Sequence, residues 1–191
     1  MSLGEARVGT QDEQRQGTRP MLGYGVRPAE PDDLDAVRAL HNHWVRRSTA
    51  TLATRGTTAE DWERHHAAVE DAALPFHVAV GWDDEVLGYA LLRPADSQSP
   101  VPAVQDAVFV APFALGCGIG AALLGGVLRG GALASVREVV AVVPDAGADA
   151  ALALHERFGF AEVGRLRRIT EKFGRRLGVI QLQRTLDRPG R

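Results

Sequence analysis

Val108-Phe109-Val110-Ala111-Pro112-Phe113-Ala114-Leu115-Gly116-Cys117-Gly118-Ile119-Gly120-Ala121-Ala122-Leu123-Leu124 is the stretch that decides how this chain folds. It opens as an apolar strand, breaks at a proline and passes through three glycines into an apolar helix. Glycines let a backbone approach a ligand without Cβ clashes, and the N–H groups of a first helical turn have no intrahelical partner. With the helix dipole, such a turn favours phosphate or pyrophosphate. The residues alone leave open a second reading, a glycine-rich turn that serves only tight helix–strand packing. Gly116–Ala121 also satisfies G-x-G-x-x-A, the dinucleotide fingerprint. That fingerprint wants its first glycine at the strand end, in the first βα turn of a domain. Here Ala111–Leu115 intervene, and no repeated βαβ half precedes the loop. The dinucleotide reading fails.

Working outward, Val104–Val110 reads as the strand before the turn and Glu138–Val143 (EVVAVV) as a strand buried on both faces. Ala148–Phe158 is helical and stops at Gly159, a natural C′ residue. Strands near Ala161–Ile169 and Gly178–Leu186 close the chain. Upstream, Phe76–Trp82 and Glu85–Arg93 form a hairpin around Asp83-Asp84, and residues 94–103 (PADSQSPVPA) are a Pro- and Ser-rich loop. A short strand, Tyr24–Pro28, precedes a helix from Pro31 with an acidic first turn and Leu34, Val37, Leu40 and Trp44 at helical spacing. A second helix starts at the caps Thr57 and Thr58 and runs to Val69. The order is βαα, then ββ, then βαβαββ.

At 191 residues the chain reads as one domain, 21–187, after a flexible polar tail, 1–20. The tail lacks the apolar core of a secretory signal, and no stretch is long enough for a membrane helix. A formal net charge of −2 and the absence of a basic run argue against nucleic acid and anionic membranes as partners. One cysteine, Cys117, cannot form an intrachain disulfide, which fits a reducing, cytoplasmic compartment. None of the six histidines has metal-site spacing, so no metal is expected.

The segment VFVAPFALGCGIGAALLGGVL resembles the acetyl-CoA motif of GNAT (Gcn5-related N-acetyltransferase) enzymes, a V-x-V strand and a proline followed by R/Q-x-x-G-x-G/A. VRPAEPDDLDAV, HNHWVRRSTAT, GYALLRP, ALHERFGFAEVG and KFGRRL–VIQLQ resemble the phosphinothricin acetyltransferase branch, in the right order over about residues 24–186. The resemblance implies an α/β GNAT fold: a central mixed, mostly antiparallel sheet with splayed central strands and helices on both faces. It implies transfer of an acetyl group from acetyl-CoA to a primary amine of a small amino-acid-like molecule, by direct attack. Backbone groups of Val108, Phe109 and Val110 would pair with the pantetheine, and Gly116, Cys117, Gly118, Ile119, Gly120 and Ala121 would hold the pyrophosphate. A homodimer is also compatible with this family.

Several positions depart from the branch. The strand position that usually carries a glutamate base is Gln105, which cannot take a proton near neutral pH. Asp106 beside it falls on the opposite strand face unless a bulge re-aims it, and is expected to be a solvated carboxylate. Leu115 stands where the family has an arginine or glutamine and Cys117 where the branch commonly has a second arginine, both at the pyrophosphate, and Ala148 aligns with a CoA-contacting asparagine. Cys117 has no base partner in sequence and reads as an incidental replacement. His155 occupies a place where many members carry a tyrosine near the CoA sulfur, which implies an acid or a fallback base; otherwise it is a helix residue packed at a loop. His41–Thr51 either lines the amine pocket or is core at Trp44 with solvent-facing His41 and His43. The alternative to an active enzyme is a catalytically degenerate GNAT domain that binds a ligand or partner.

Overall fold

A computed structural model describes residues 23–95 and 103–187. The expected tail 1–20 and most of the expected loop 94–103 lie outside the described residues. Strands β1 (Gly25–Pro28), β2 (Phe76–Val80), β3 (Val86–Pro94), β4 (Ala103–Val110), β5 (Glu138–Pro144), β6 (Ala161–Lys172) and β7 (Arg175–Thr185) form one sheet in the order β1-β2-β3-β4-β5-β7-β6. Every neighbouring pair is antiparallel except β4/β5. Helices are α1 (Leu34–Arg47), α2 (Ala59–Asp71), α3 (Ile119–Leu133) and α4 (Asp149–Arg157).

Strand alternation sorts the helices onto two faces. The Tyr89 side chain meets Trp62 of α2 and His41 of α1, whereas a Cβ on neighbouring Gly88 would point at Leu123 and Ile119 of α3. Helix α4 shares the α3 face, because Leu154 and Phe158 reach the glycines Gly120 and Gly125. The core accordingly joins Val37, Trp62 and Tyr89 on one side to Leu123, Val127, Val139 and Phe160 on the other. Among the described residues no helix is long and apolar enough to cross a membrane.

Several boundaries differ from the sequence expectation. The helix expected from Pro31 begins as a 3₁₀ turn, Pro31–Asp33, and α1 follows from Leu34. Asp33 explains this: its carboxylate accepts from the Glu30 N–H at 2.8 Å and from Arg27 at 2.6 and 2.8 Å, tying the turn to β1. Strand β6 runs past Ile169 to Lys172, and β7 starts at Arg175. The hairpin is closed by Phe173 and Gly174, both at positive φ (53° and 69°), the backbone of a primed two-residue turn.

Candidate active site

The glycine turn is built as its sequence demands. After a single 3₁₀ turn at Pro112–Ala114, Gly116 and Gly118 take φ of 77° and 84°, and α3 begins at Ile119. The first helical bond runs from Ala122 N to Gly118 O at 3.0 Å, so no i−4 carbonyl serves the N–H groups of Ile119, Gly120 and Ala121. No side chain caps this end. A Cβ at Gly118 would meet only the Tyr24 hydroxyl, at 3.5 Å, so the missing side chain leaves an open approach to those donors. The turn fits a pyrophosphate by this backbone geometry. It offers little charge, because Phe113 and Leu115 are exposed and apolar.

Strands β4 and β5 pair only from Ala103↔Glu138 to Gln105↔Val140. Beyond Gln105 they part, and β4 presents Val108 and Phe109 to the gap without a ladder partner on that side. The Val110 carbonyl is already engaged by Trp44 Nε1 at 3.0 Å. This opening admits an extended chain with amide groups along β4, which is the shape of pantetheine.

Asp106 and His155 face each other where the strands part. His155 Nε2 lies 2.9 Å from Asp106 Oδ2, and its Nδ1 donates to the Ala151 carbonyl at 2.7 Å. Both residues are only 6% exposed. The expectation of a solvated Asp106 is corrected. Alternation does send its side chain away from Gln105, but α4 covers that face, so a carboxylate there needs a partner. Burial alone would lower the His155 pKa; the hydrogen bond and charge of Asp106, with the Ala151 carbonyl, outweigh burial and raise it. With Nδ1 committed to the Ala151 carbonyl, Nε2 is the ring atom that faces the carboxylate.

A cavity of about 730 Å³ extends from this pair through the strand gap to α1 and α2. Tyr89, Leu91, Arg93, Gln105, Ala107 and Phe109 supply its sheet wall, and His41, Trp62 and His65 face them. Gln105 lines it, its Oε1 accepting from Arg93 Nη2 at 3.0 Å. The hydroxyl of fully buried Tyr89 lies in hydrogen-bond contact with His41 Nδ1, at 2.7 Å. Burial, then the charges of His65, Arg93 and Lys172, push the His41 pKa down to about 4, so His41 is neutral near neutral pH. Ala50, Thr51, Leu52, Ala53 and Thr57 complete its lining, in a segment held by Lys172 Nζ donating to Thr51 O at 2.7 Å and by the buried Asn42 side chain on Thr57.

The structure thus brings together Gln105, His155, Val108 and Phe109. Gly116–Ala121 lies at the head of α3, after β4. Ala148 is buried at the N-terminus of α4 and brings no polar side chain there. Cys117 is half-buried in the glycine turn, its Sγ 3.8 Å from the Leu115 carbonyl. Sequence reasoning missed the pairing of Asp106 with His155 and the wall of Tyr89, Leu91 and Arg93. The i, i+2 spacing of that wall was the available signal.

Residues 37–160 match the model of the Acetyltransferase (GNAT) family. The chain is 34% identical over 163 residues to a phosphinothricin N-acetyltransferase of Alcaligenes faecalis, covering 85% of this chain and 82% of the relative. It is 30% identical over 172 residues to an L-methionine sulfoximine/L-methionine sulfone acetyltransferase of Pseudomonas aeruginosa, covering 87% and 96%. The crystal structure of a phosphinothricin acetyltransferase from Sinorhizobium meliloti in complex with acetyl-CoA superposes with a TM-score of 0.79 at 26% identity, covering 85% of this chain and 88% of that one.

Proposed function

The chain belongs to the GNAT family of acetyltransferases, in its phosphinothricin acetyltransferase-like branch, and on that footing we propose that it acetylates the primary amine of a small amino-acid-like molecule, with acetyl-CoA as donor. The observation that carries this reading is the Asp106–His155 pair, buried where β4 and β5 part, at the inner end of the cavity. It argues against a degenerate domain, since a buried carboxylate facing a cavity has no structural need that an apolar residue would not meet.

Gly116–Ala121 would hold the pyrophosphate through backbone N–H groups, and β4 from Val108 to Val110 would align the pantetheine. When bound, acetyl-CoA supplies the thioester carbonyl that the amine attacks. Asp106 Oδ2 takes a proton from the acceptor side, and His155 Nε2 gives one up on the donor side. The pair ends each cycle with the proton count it started with. Gln105 does not move a proton; it holds Arg93 by its amide oxygen. The wall of α1, α2 and the 48–58 segment would hold the acceptor beside the thioester, and such positioning lowers the barrier of a bimolecular step.

The test is release of CoA thiol by the purified protein with acetyl-CoA and a panel of α-amino acids that includes phosphinothricin and methionine sulfoximine. Turnover that Asp106→Asn and His155→Ala both reduce is expected. No turnover with any acceptor across the neutral pH range would reject the reading.

A further inference from the structure

Lys172 stands at the end of β6, only 4% exposed, and among the described residues no carboxylate pairs with it. Its Nζ lies 5.2 Å from the Phe173 ring centroid and donates to the Thr51 carbonyl at 2.7 Å. Burial lowers its pKa. An ammonium withdrawn from water without a counter-ion is costly, and a methionine of similar length would fill the place at less cost. What lysine adds is a donor for one backbone oxygen. That oxygen belongs to the cavity wall, where Ala50, Thr51, Leu52 and Ala53 contribute to the lining. Residues 48–58 form neither helix nor strand, so they owe their place to side-chain ties. At the far end Thr57 is fastened by Asn42 and by Trp62 Nε1, which donates to Thr57 Oγ1 at 2.9 Å. At the near end Thr49 Oγ1 donates to Ala146 O at 3.1 Å, and Lys172 holds Thr51. Lys172 is itself fixed by the β6–β7 ladder, where it faces Arg175.

We propose that Lys172 is a positioning residue for the acceptor: its ammonium holds the Thr51 carbonyl, sets residues 50–53 against the cavity, and is kept there at a cost in stability. The inference rests on the acetyltransferase reading above for what the wall holds, and adds to the acceptor site a residue that does not itself line the cavity. The charge of Lys172 also acts on His41, so the ammonium lies within electrostatic reach of the chamber. A purely structural pin and a positioning residue of this kind predict opposite stabilities. Removing a pin lowers the Tm. Removing a buried, unpaired charge leaves the Tm level or raises it, while the wall it held shifts and acceptor binding suffers. The glycine turn belongs to α3, on the other face of the sheet, and should keep its affinity for acetyl-CoA.

The experiment compares the full chain with Lys172→Met and Lys172→Arg by four measurements. They are thermal unfolding, amide exchange at Ala53, whose N–H is held by Thr51 Oγ1, calorimetric titration of acetyl-CoA, and kcat and KM for the best acceptor of the α-amino-acid panel. In Lys172→Met the Tm should equal or exceed the native value and Ala53 should exchange about tenfold faster, a charge-assisted hydrogen bond setting that scale. The acceptor KM should rise about tenfold with kcat within about threefold, and the acetyl-CoA Kd should stay within about twofold. Lys172→Arg keeps a charged donor and should bring KM back towards the native value. A Tm lowered by about 5 °C or more, with kcat and acetyl-CoA binding degraded in step, overturns the proposal. So does native exchange at Ala53, an unchanged KM, or a KM that Lys172→Arg leaves as high as Lys172→Met. If no acceptor turns over in the native chain, the acetyltransferase reading fails by itself. The Tm and Ala53 exchange then still uphold or overturn Lys172 as the holder of the wall, so the two failures are distinguishable.

Discussion

Replacing Asp106 by asparagine keeps the shape of the side chain and removes its charge. In the native pair His155 Nδ1 donates to Ala151 O, and Nε2 faces Asp106 Oδ2 at 2.9 Å. Asparagine can offer its N–H to Nε2, which is then satisfied only in the neutral imidazole. The variant exchanges a charge-assisted bond worth about 1.5–3 kcal/mol for a neutral one worth about 0.5–1.5 kcal/mol. Relief of the cost of burying two charges offsets part of that difference. The net loss of stability is about 1 kcal/mol, or a Tm drop of about 2–4 °C for a domain of this size. Catalysis should respond far more strongly. Without an ionised partner the pair can neither take nor return a proton, and general acid–base contributions are typically about 10²–10⁴-fold. That is about 3–5 kcal/mol on the barrier, several times the loss of stability. The assays are CoA-thiol release, thermal unfolding, and NMR titration of the His155 ring. Because the hydrogen bond and charge of Asp106 outweigh desolvation to raise the His155 pKa, the titration should move to lower pH in the variant. A kcat within about threefold of the native value, with the His155 titration moved as expected, would reduce the pair to a structural contact and refute the reasoning.

Gly118 sits at φ 84°, so Gly118→Ala should cost about 1–2 kcal/mol and weaken acetyl-CoA binding in calorimetry. Gly120→Ala should weaken it less, because the new methyl would rest at 3.5 and 3.7 Å from Leu154 and Val110, an ordinary contact; equal losses would count against a cradle centred on the Gly118 approach. Asn42→Ala removes bonds to Thr57 O, N and Oγ1 from a buried site and should destabilise by about 2–3 kcal/mol in urea, with a looser 48–58 segment seen as faster amide exchange. His41, with its pKa depressed from 6.5 to about 4, leaves the unfolded chain binding more protons between those values. Its contribution is therefore present above about pH 6.5 and lost as pH falls towards about 4, on the order of 1–2 kcal/mol once its partial exposure is discounted. His155, raised instead, works the other way on the alkaline side. His41→Phe should flatten the acid limb of a urea-midpoint profile, and an unchanged limb would contradict the assignment.

The glycine turn, β5 and the β2–β3 hairpin are legible because each rests on local chemistry: glycine at positive φ, an uninterrupted apolar run, and alternation either side of Asp83-Asp84. The extension of β6 to Lys172 is not legible in the same way. Its residues Thr170, Glu171 and Lys172 carry no apolar alternation, and they follow a break in register at Arg168, φ 56°, so pairing with β7 makes this stretch a strand. Lys172 is buried against the Thr51 carbonyl, a contact spanning most of the chain that no local pattern encodes.

Asp106 shows where reading by alternation stops short. Alternation correctly assigns Gln105 and Asp106 to opposite faces of β4, and a carboxylate opposite a lined cavity then reads as solvated. That step presumes a sheet with one wet face. The order βαα, ββ, βαβαββ already puts helices on both sides, and a strand in the middle of such a sheet has no wet face. A lone aspartate there must be paired, neutralised or facing a ligand. His155, on the helix that follows the neighbouring strand β5, is a cationic partner the topology can deliver. The same step separates two substitutions that look alike in sequence. Gln105 removes a carboxylate from the cavity wall and thereby leaves Arg93 charged, while Asp106 retains one on the reverse face beside His155. Adjacent residues of β4 thereby have opposite outlooks, and on the function proposed above only Asp106 takes part in proton transfer. Gln105→Glu should accordingly pair with Arg93 without taking over the role of the buried pair, so that it does not restore CoA-thiol release to Asp106→Asn.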